Sequence, residues 1–326
     1  MPHARRPRLR PLLGGLAEVS ADGTLRLVVS DPIIVQRTTG QICAGGGTAY
    51  NPKDKSLYVS GRNCLRRLRE REHGPPILEP VAGIPGKAGC DDGPAASATF
   101  TRIDSMVITA RGTIYILDNN ERIRCIEDGR VTTLTAAVHS GKRIDGPLGQ
   151  ATFNMIGLGG NLCGGEDDDT LYLSDHWNFC VRRIDLSSRT VSTVAGMPKP
   201  DRPAAGRPLP QDKRYNSNSD GPALTWASFN SGCAYVCWDR FHKALWCGGP
   251  DENRFRRLKD GWLRTVIGAG GNREKWPKDA VGVPADKVFL CWNAVVASDE
   301  RGRAYLSCSG EPTGLWRAYN VKEVRP

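Results

Sequence analysis

Five histidines, eleven cysteines and a few clustered carboxylates are the side chains of this 326-residue chain that could carry chemistry. Cys233, Cys237, His242 and Cys247 follow the pattern C-x3-C-x4-H-x4-C. That is one residue from the zinc-knuckle spacing of RNA-binding proteins. Zinc, however, needs four donors converging at ~2.0–2.3 Å. Here Cys233 and Cys237 fall on one strand-like run, Cys247 falls on the next, and His242 sits in the turn between them. A paired hairpin holds such residues apart, so no zinc site is expected. The run GGEDDDT at 164–170 offers carboxylates but lacks the alternate-oxygen spacing of a calcium loop, and it reads as a solvated turn. AGGGTAY and IGAGGN are glycine-rich without a P-loop lysine or a GxGxxG pattern, so they read as strand ends and connections. No Ser-His-Asp or Cys-His arrangement has support in the sequence. The sequence thus assigns no catalytic residue, no metal and no cofactor.

The elements that would position these residues repeat. DGPAASATF at 92–100, DGPLGQATF at 145–153 and DGPALTWASF at 220–229 are near-copies of one phrase. Each is followed by the same series of events: an apolar run, a turn, a run with one aromatic, a run carrying arginine, a turn, and a last run. The aromatic is Tyr58, Tyr115, Tyr172, Trp246 or Tyr305, and the arginine is Arg66, Arg124, Arg182, Arg256 or Arg317. Short β-type runs separated by turn residues make each unit four strands. Counting arginine-bearing runs, with a looser first unit at GLAEVSADGTLRLVVSDPIIVQRTTGQI, gives six units. A single four-stranded sheet cannot bury both its faces, whereas stacking such sheets around an axis does. The expected fold is all-β: a six-bladed β-propeller of four-stranded antiparallel blades. It occupies residues 14–326, with an insertion at about 197–219. Residues 1–13 form a basic N-terminal segment, and its RLRPLL stretch and the C-terminal VKEVRP compete to close the ring.

The order DG…A-x-F, LY-φ-x-D, N-x-x-φ-R-x-I, V-x-T-φ-AG resembles the NHL-repeat β-propeller family. The fullest match runs over 145–196, where Asp175, Asn178, Val181, Arg182 and Ile184 fall on the motif, and Asp118, Ile123 and Arg124 match in the unit before it. The resemblance implies a propeller and little about activity, because one fold hosts many functions. Some members bind single-stranded RNA or proteins on one face; others resemble metal-dependent lyases and lactonases. The lyase type holds its metal with histidines on the propeller axis, and none of His3, His73, His139, His176 or His242 lies in a first-strand run. For a lactonase-like site, Asp104, Asn154, Asn230 and Asn293 lie near the starts of first strands, a single acid for a divalent ion.

The connections between second and third strands and those between blades open on one face. That face is expected to carry Arg62, Asn63, Asn120, Arg122, His176, Trp177, Asn178 and Arg254, bordered by Lys142 and Arg143. Basic and amide groups beside aromatics suit single-stranded nucleic acid. The same residues also suit packing between blades and pairing with acids. Three functions follow in order: a non-catalytic protein-interaction module or assembly subunit, a single-stranded RNA binder, and a channel-mouth metal enzyme. Protein partners are expected, RNA is the alternative partner, and no membrane span or DNA motif is seen.

The chain's net charge of +10 fits either an RNA-like polyanion partner or charge spread by the repeat. Cysteines inside apolar runs, such as Cys125 and Cys180, read as reduced, buried thiols in an intracellular compartment. Arg5, Arg6, Arg8 and Arg10 leave the cytoplasm and a mitochondrion or other organelle both open.

Overall fold

Period-two runs bounded by turn residues pair as antiparallel hairpins. The computed structural model describes residues 15–19, 25–30, 48–74, 76–119, 121–135, 143–155, 160–196, 220–229, 232–249, 254–268, 295–298, 304–308 and 314–318. The segments 1–13 and 197–219, and the competing C-terminal strand, lie outside the described residues.

Strands β1 (Gly15–Val19) and β2 (Leu25–Ser30) form a hairpin. Then β3 (Thr48–Asn51), β4 (Ser56–Ser60), β5 (Leu65–Arg69) and β6 (Ile77–Ala82) form a four-stranded meander. The next sheet holds β7 (Gly93–Pro94), β8 (Ile103–Ile108), β9 (Ile114–Asp118), β10 (Arg122–Glu127) and β11 (Arg130–Thr133). It is followed by β12 (Gly146–Pro147), β13 (Leu162–Gly164), β14 (Thr170–Asp175), β15 (Cys180–Asp185) and β16 (Thr190–Ala195). A third sheet of this kind holds β17 (Gly221–Pro222), β18 (Tyr235–Asp239), β19 (Ala244–Gly249), β20 (Arg254–Lys259) and β21 (Trp262–Ile267). The last sheet holds β22 (Val295–Ser298), β23 (Ala304–Cys308) and β24 (Gly314–Ala318). Among the described residues, four blades have all their strands, where the repeat count anticipates six; the outer two sheets have two and three strands. The first strands stand side by side in sequence order: β3 by β8, β8 by β13, β13 by β18, and β18 by β22.

Three of the complete blades have a fifth, two-residue strand, and it comes from the repeated phrase. Gly93–Pro94, Gly146–Pro147 and Gly221–Pro222 each pair with the outermost strand of their own blade. Just before them, the aspartate caps the same strand: Asp92 accepts from the Thr133 N–H (2.8 Å) and hydroxyl (3.0 Å). Asp145 does this for Thr193, and Asp220 for Thr265. An open sheet edge is a template for pairing with another chain, so the phrase covers that edge. Proline serves there because an edge strand can spare its missing N–H.

The phrase also ends in a phenylalanine, and its ring meets the third-strand arginine. The guanidinium carbon of Arg124 lies 4.9 Å from the Phe100 ring centre, that of Arg182 lies 5.1 Å from Phe153, and that of Arg256 lies 4.3 Å from Phe229. All three arginines are fully buried. Arg124 donates to Asp118 (3.0 Å), Asp92 (2.7 Å) and the carbonyls of Thr99 and Asp91. Arg182 repeats this with Asp175 and Asp145, both at 2.8 Å, and the carbonyls of Thr152 and Ile144. Burial pushes the Asp118 and Asp175 carboxyls upward, against the pull of these arginines and of backbone N–H donors. In the blade of β17–β21, Gly249 stands where the others have Asp118 or Asp175, and the Arg256 guanidinium bonds the Ser228 carbonyl (2.7 Å).

The chain leaves the blades of β3–β6 and β12–β16 through glycine. A Cβ at Gly83 (φ +82°) would sit 2.4 Å from the Asn63 carbonyl oxygen, and one at Gly196 (φ +103°) 2.3 Å from that of Phe179. Only glycine allows this approach together with a left-handed backbone. The Gly83 N–H then bonds the Ala95 carbonyl and the Gly196 N–H that of Ala223, tying each blade's end to the next phrase. Apolar cores fill the spaces between neighbouring blades. One joins Tyr58 and Leu65 to Phe100 and Ile116, and another joins Tyr172 and Val181 to Phe229 and Leu245.

The acidic run does more than face solvent. The Asp168 carboxylate accepts the N–H groups of Ala110 (2.7 Å) and Arg111 (3.0 Å) on the preceding blade, and Asp169 pairs with the Arg111 side chain. The turn expected to be solvated is a clamp between blades, because its carboxylates reach an adjacent hairpin of uncapped amides. Truncating Arg182 to alanine leaves Asp175 charged and buried, so we expect a loss of about 3–5 kcal/mol in urea unfolding. Truncating its exposed neighbour Arg183, whose partners are Asp185 and Glu166, should cost less than about 1 kcal/mol.

Candidate functional site

The face predicted to bind a partner is built from the β4–β5, β9–β10 and β14–β15 connections and from the chain entering each first strand. Hydrogen bonds place these together. The Arg62 carbonyl accepts from Ile103, the Asn119 N–H donates to the Arg102 carbonyl, and the Trp177 N–H donates to the Asn154 carbonyl. These bonds join each connection to the chain entering a first strand.

Most of the side chains named for that face are already engaged. Asn63 is buried and donates to the carbonyls of Phe100 and Thr101. Arg122 pairs with Glu121 at 3.0 Å, and Arg143 donates to the Gly196 carbonyl at 2.9 Å. Asn178 donates to Asp175 at 2.9 Å, and Arg254 reaches the Thr265 hydroxyl at 3.5 Å. His176 is buried in a one-turn 3-10 helix (His176–Asn178), against Gly232 and edge-on to Trp177. Arg62 and Trp177 are exposed. Asn120 and Lys142 lie outside the described residues.

At the channel mouth, Asp104 is buried and bound by the Arg102 guanidinium. Asp104, the one acid of the lactonase-like arrangement, thus has a cationic partner within the protein. Asn154 donates its backbone N–H to Asp175, and Asn230 and Asn293 lie outside the described residues. A residue the sequence did not flag, Asn161, is the polar centre here. It takes the Val236 N–H on its amide oxygen (3.0 Å) and bonds the hydroxyls of Ser174 and Ser105. It thus links three blades by hydrogen bonding, which is a structural task.

The knuckle residues do other work. The Asp239 carboxylate accepts from Trp246 Nε1 (3.1 Å) and the His242 N–H (3.0 Å) and contacts His242 Nδ1 (2.8 Å), so Asp239 caps the hairpin turn and holds the histidine in it. Cys233 precedes β18 rather than lying on it, and its thiol points to the carbonyls of Tyr235 and Gly248. Among the described residues no group of three or more His, Cys, Asp or Glu side chains could hold a metal. Burial raises the thiols of Cys163, Cys180 and Cys247 well above their usual value, which suppresses the reactive thiolate.

Large apolar side chains at the surface are a second feature the sequence reading passed over. Eight are exposed among the described residues, and four of them (Leu224, Trp226, Phe241 and Trp262) belong to the blade of β17–β21. The signal was present in the repeat. Where the other phrases have Ala96-Ser97 and Gly149-Gln150, this one has Leu224-Thr225-Trp226.

No protein-family model matches the chain, and no curated protein matches it. Solved structures do. A protein of unknown function from Bacteroides thetaiotaomicron aligns with a TM-score of 0.54 at 15% identity, over 87% of this chain and 59% of that one. The chain thus spans less than two thirds of that protein. The nidogen/laminin complex aligns at a TM-score of 0.46 and 13% identity, over 90% of this chain and 80% of that one. Virginiamycin B lyase from Staphylococcus aureus aligns at 0.44 and 11%, over 91% and 71%. The fold is a β-propeller. At such identities the likeness concerns the propeller fold and no activity. No helix is long and apolar enough to cross a membrane among the described residues.

Alkylation of the folded chain by iodoacetamide should label exposed Cys90 and spare Cys163, Cys180 and Cys247 until denaturant is added, read by peptide mass mapping.

Proposed function

We propose that this chain is a six-bladed, NHL-like propeller that acts as a non-catalytic protein-interaction module or as a structural subunit of a larger assembly. The sheets of β1–β2 and β22–β24 supply the remaining two blades in this reading, and the place of β22 beside β18 supports continuing the ring past the fourth complete blade. The NHL-like character rests on the Asp-Gly-Pro phrase and the buried third-strand arginine.

One observation carries the functional reading: among the described residues, buried charged side chains such as Arg124 and Asp118 serve the ring, while exposed apolar side chains gather on one blade. Arg124, Arg182, Asp118, Asp175 and Asp104 are all buried in ion pairs. The reading also puts the protein inside the cell, in the cytoplasm or an organelle, and the free buried thiols of Cys125, Cys180 and Cys247 support it. RNA binding draws on exposed Arg62 and Trp177, but the pairing of Arg122 with Glu121 leaves that face less cationic than its sequence suggests, and Arg143 is tied to the Gly196 carbonyl.

Tagged full-length protein purified from its native source tests this. We expect a complex that survives size exclusion and nuclease treatment. A nuclease-sensitive complex would move the assignment to RNA. A free 35.5 kDa chain that turns over lactones or esters with metal dependence would overturn the reading.

A further inference from the structure

Internal repetition supplies its own control: a position that departs from its equivalents in the other blades is not there for the ring. The outer hairpin of the blade β17–β21 departs most. In register, Arg257 faces Arg264 and Lys259 faces Trp262, and alternation puts these four side chains on one face of the sheet. In each of the other complete blades the four equivalent positions include an acid: Glu79, Glu127 or Asp185. In this blade they hold three cations and a tryptophan.

These four residues line a shallow cavity of about 110 Å³, with Asp260 as its one acid. Ligand clefts run roughly 300–1,000 Å³, so the space suits one aliphatic side chain rather than a cofactor. Trp262, at 46% exposure, has the Arg264 guanidinium 5.4 Å from its ring centre. Two further exposed side chains belong to the same rim. Pro222 pairs with Trp262 and accepts the Trp226 N–H at 3.0 Å, and the Trp226 ring covers Gly221. Leu224 and Trp226 are 50% and 51% exposed, where the other joints have small or polar residues. Half-exposed tryptophans on a rigid edge beside an arginine have the make-up of a binding hot spot.

We infer that this rim docks an acidic segment of a partner protein, which inserts an aliphatic side chain against Trp262 and sets carboxylates beside Arg264 and Lys259. The inference rests on the interaction-module reading. Its charge argument is the sign of the lining at the surface: Arg264 and Lys259 flank Trp262 against one acid, Asp260, while Arg257 is buried over Trp246 with Asp239 3.9 Å away. Backbone pairing does not supply the affinity, because Asp220 and the Gly221–Pro222 strand already cover the edge of β21.

The test uses the full chain and a fluorescein-labelled nonapeptide with a central leucine flanked by aspartates and glutamates, read by anisotropy. We expect saturable binding that weakens as salt rises. It should fall at least tenfold in Trp262→Ala and in Arg264→Glu, each keeping the wild-type urea midpoint. A leucine-to-serine peptide and a lysine-flanked peptide should bind at least tenfold more weakly. Absence of binding, or equal binding to both variants, overturns the inference. So does a uridine-rich RNA 12-mer that binds in the peptide's place and is lost in the same variants. The native-source complex separates the two levels. If wild type recovers no complex, the interaction-module reading fails. If the complex forms and survives both substitutions, the docking rim alone fails.

Discussion

The structure depends on a buried guanidinium. A third-strand arginine lies over the phenylalanine that ends one Asp-Gly-Pro phrase, and its donors reach the aspartate that begins it. In two blades a second, fully buried aspartate at the end of the second strand completes the cage. A charge removed from water is tolerated when carboxylates and carbonyls take its donors. In Arg124 and Arg182 they take the two terminal nitrogens of the guanidinium plane, while the buried Nε has no hydrogen-bond partner. The ring then gives the face of that plane an aromatic partner. Every element of a blade contributes one part, so the four strands and the incoming phrase must be in register at once.

That arrangement explains why a sequence with many charged side chains yields so little chemistry inside. Asp92, Asp145 and Asp220 cap threonine amides at the outer edge, and Asp92 and Asp145 also close the arginine's cage. Thr133 and Arg124 hold Asp92 below the ordinary carboxylate value, although its burial works the other way. The acidic run at 164–170 is drawn into the same scheme, with Asp168 and Asp169 holding the hairpin before it. Half of the exposed large apolar side chains among the described residues lie instead on the blade whose joint carries Leu224 and Trp226.

Much of the architecture was legible because it is written several times. The aromatic of the second strand and the arginine of the third recur at fixed places, and their period marks the strands. The partners of those residues were not legible, since each is contributed by a different element. Tyr58 donates to Asp54 and Tyr172 to Glu166, both acids of a turn that sequence alone reads as solvent-facing. Asn161 lay hidden in a glycine-rich run because its bonds reach blades 56 and 75 residues away. Several side chains expected on the binding face, such as Asn63, Arg122 and Asn178, have structural partners that spacing could not reveal. The exposed rim was missed for the opposite reason: it is visible only as a departure from the repeat.

The central claim is that the phrase and the buried arginine lock each blade to its outer edge. Native-state hydrogen exchange of the Thr133, Thr193 and Thr265 amides tests it most directly. Each is an outer-strand N–H held by the phrase's aspartate. The account predicts exchange as slow as the inner strands, with the free energy of global unfolding. Fast exchange at these three amides, at rates of frayed edges while the inner strands stay protected, would contradict it.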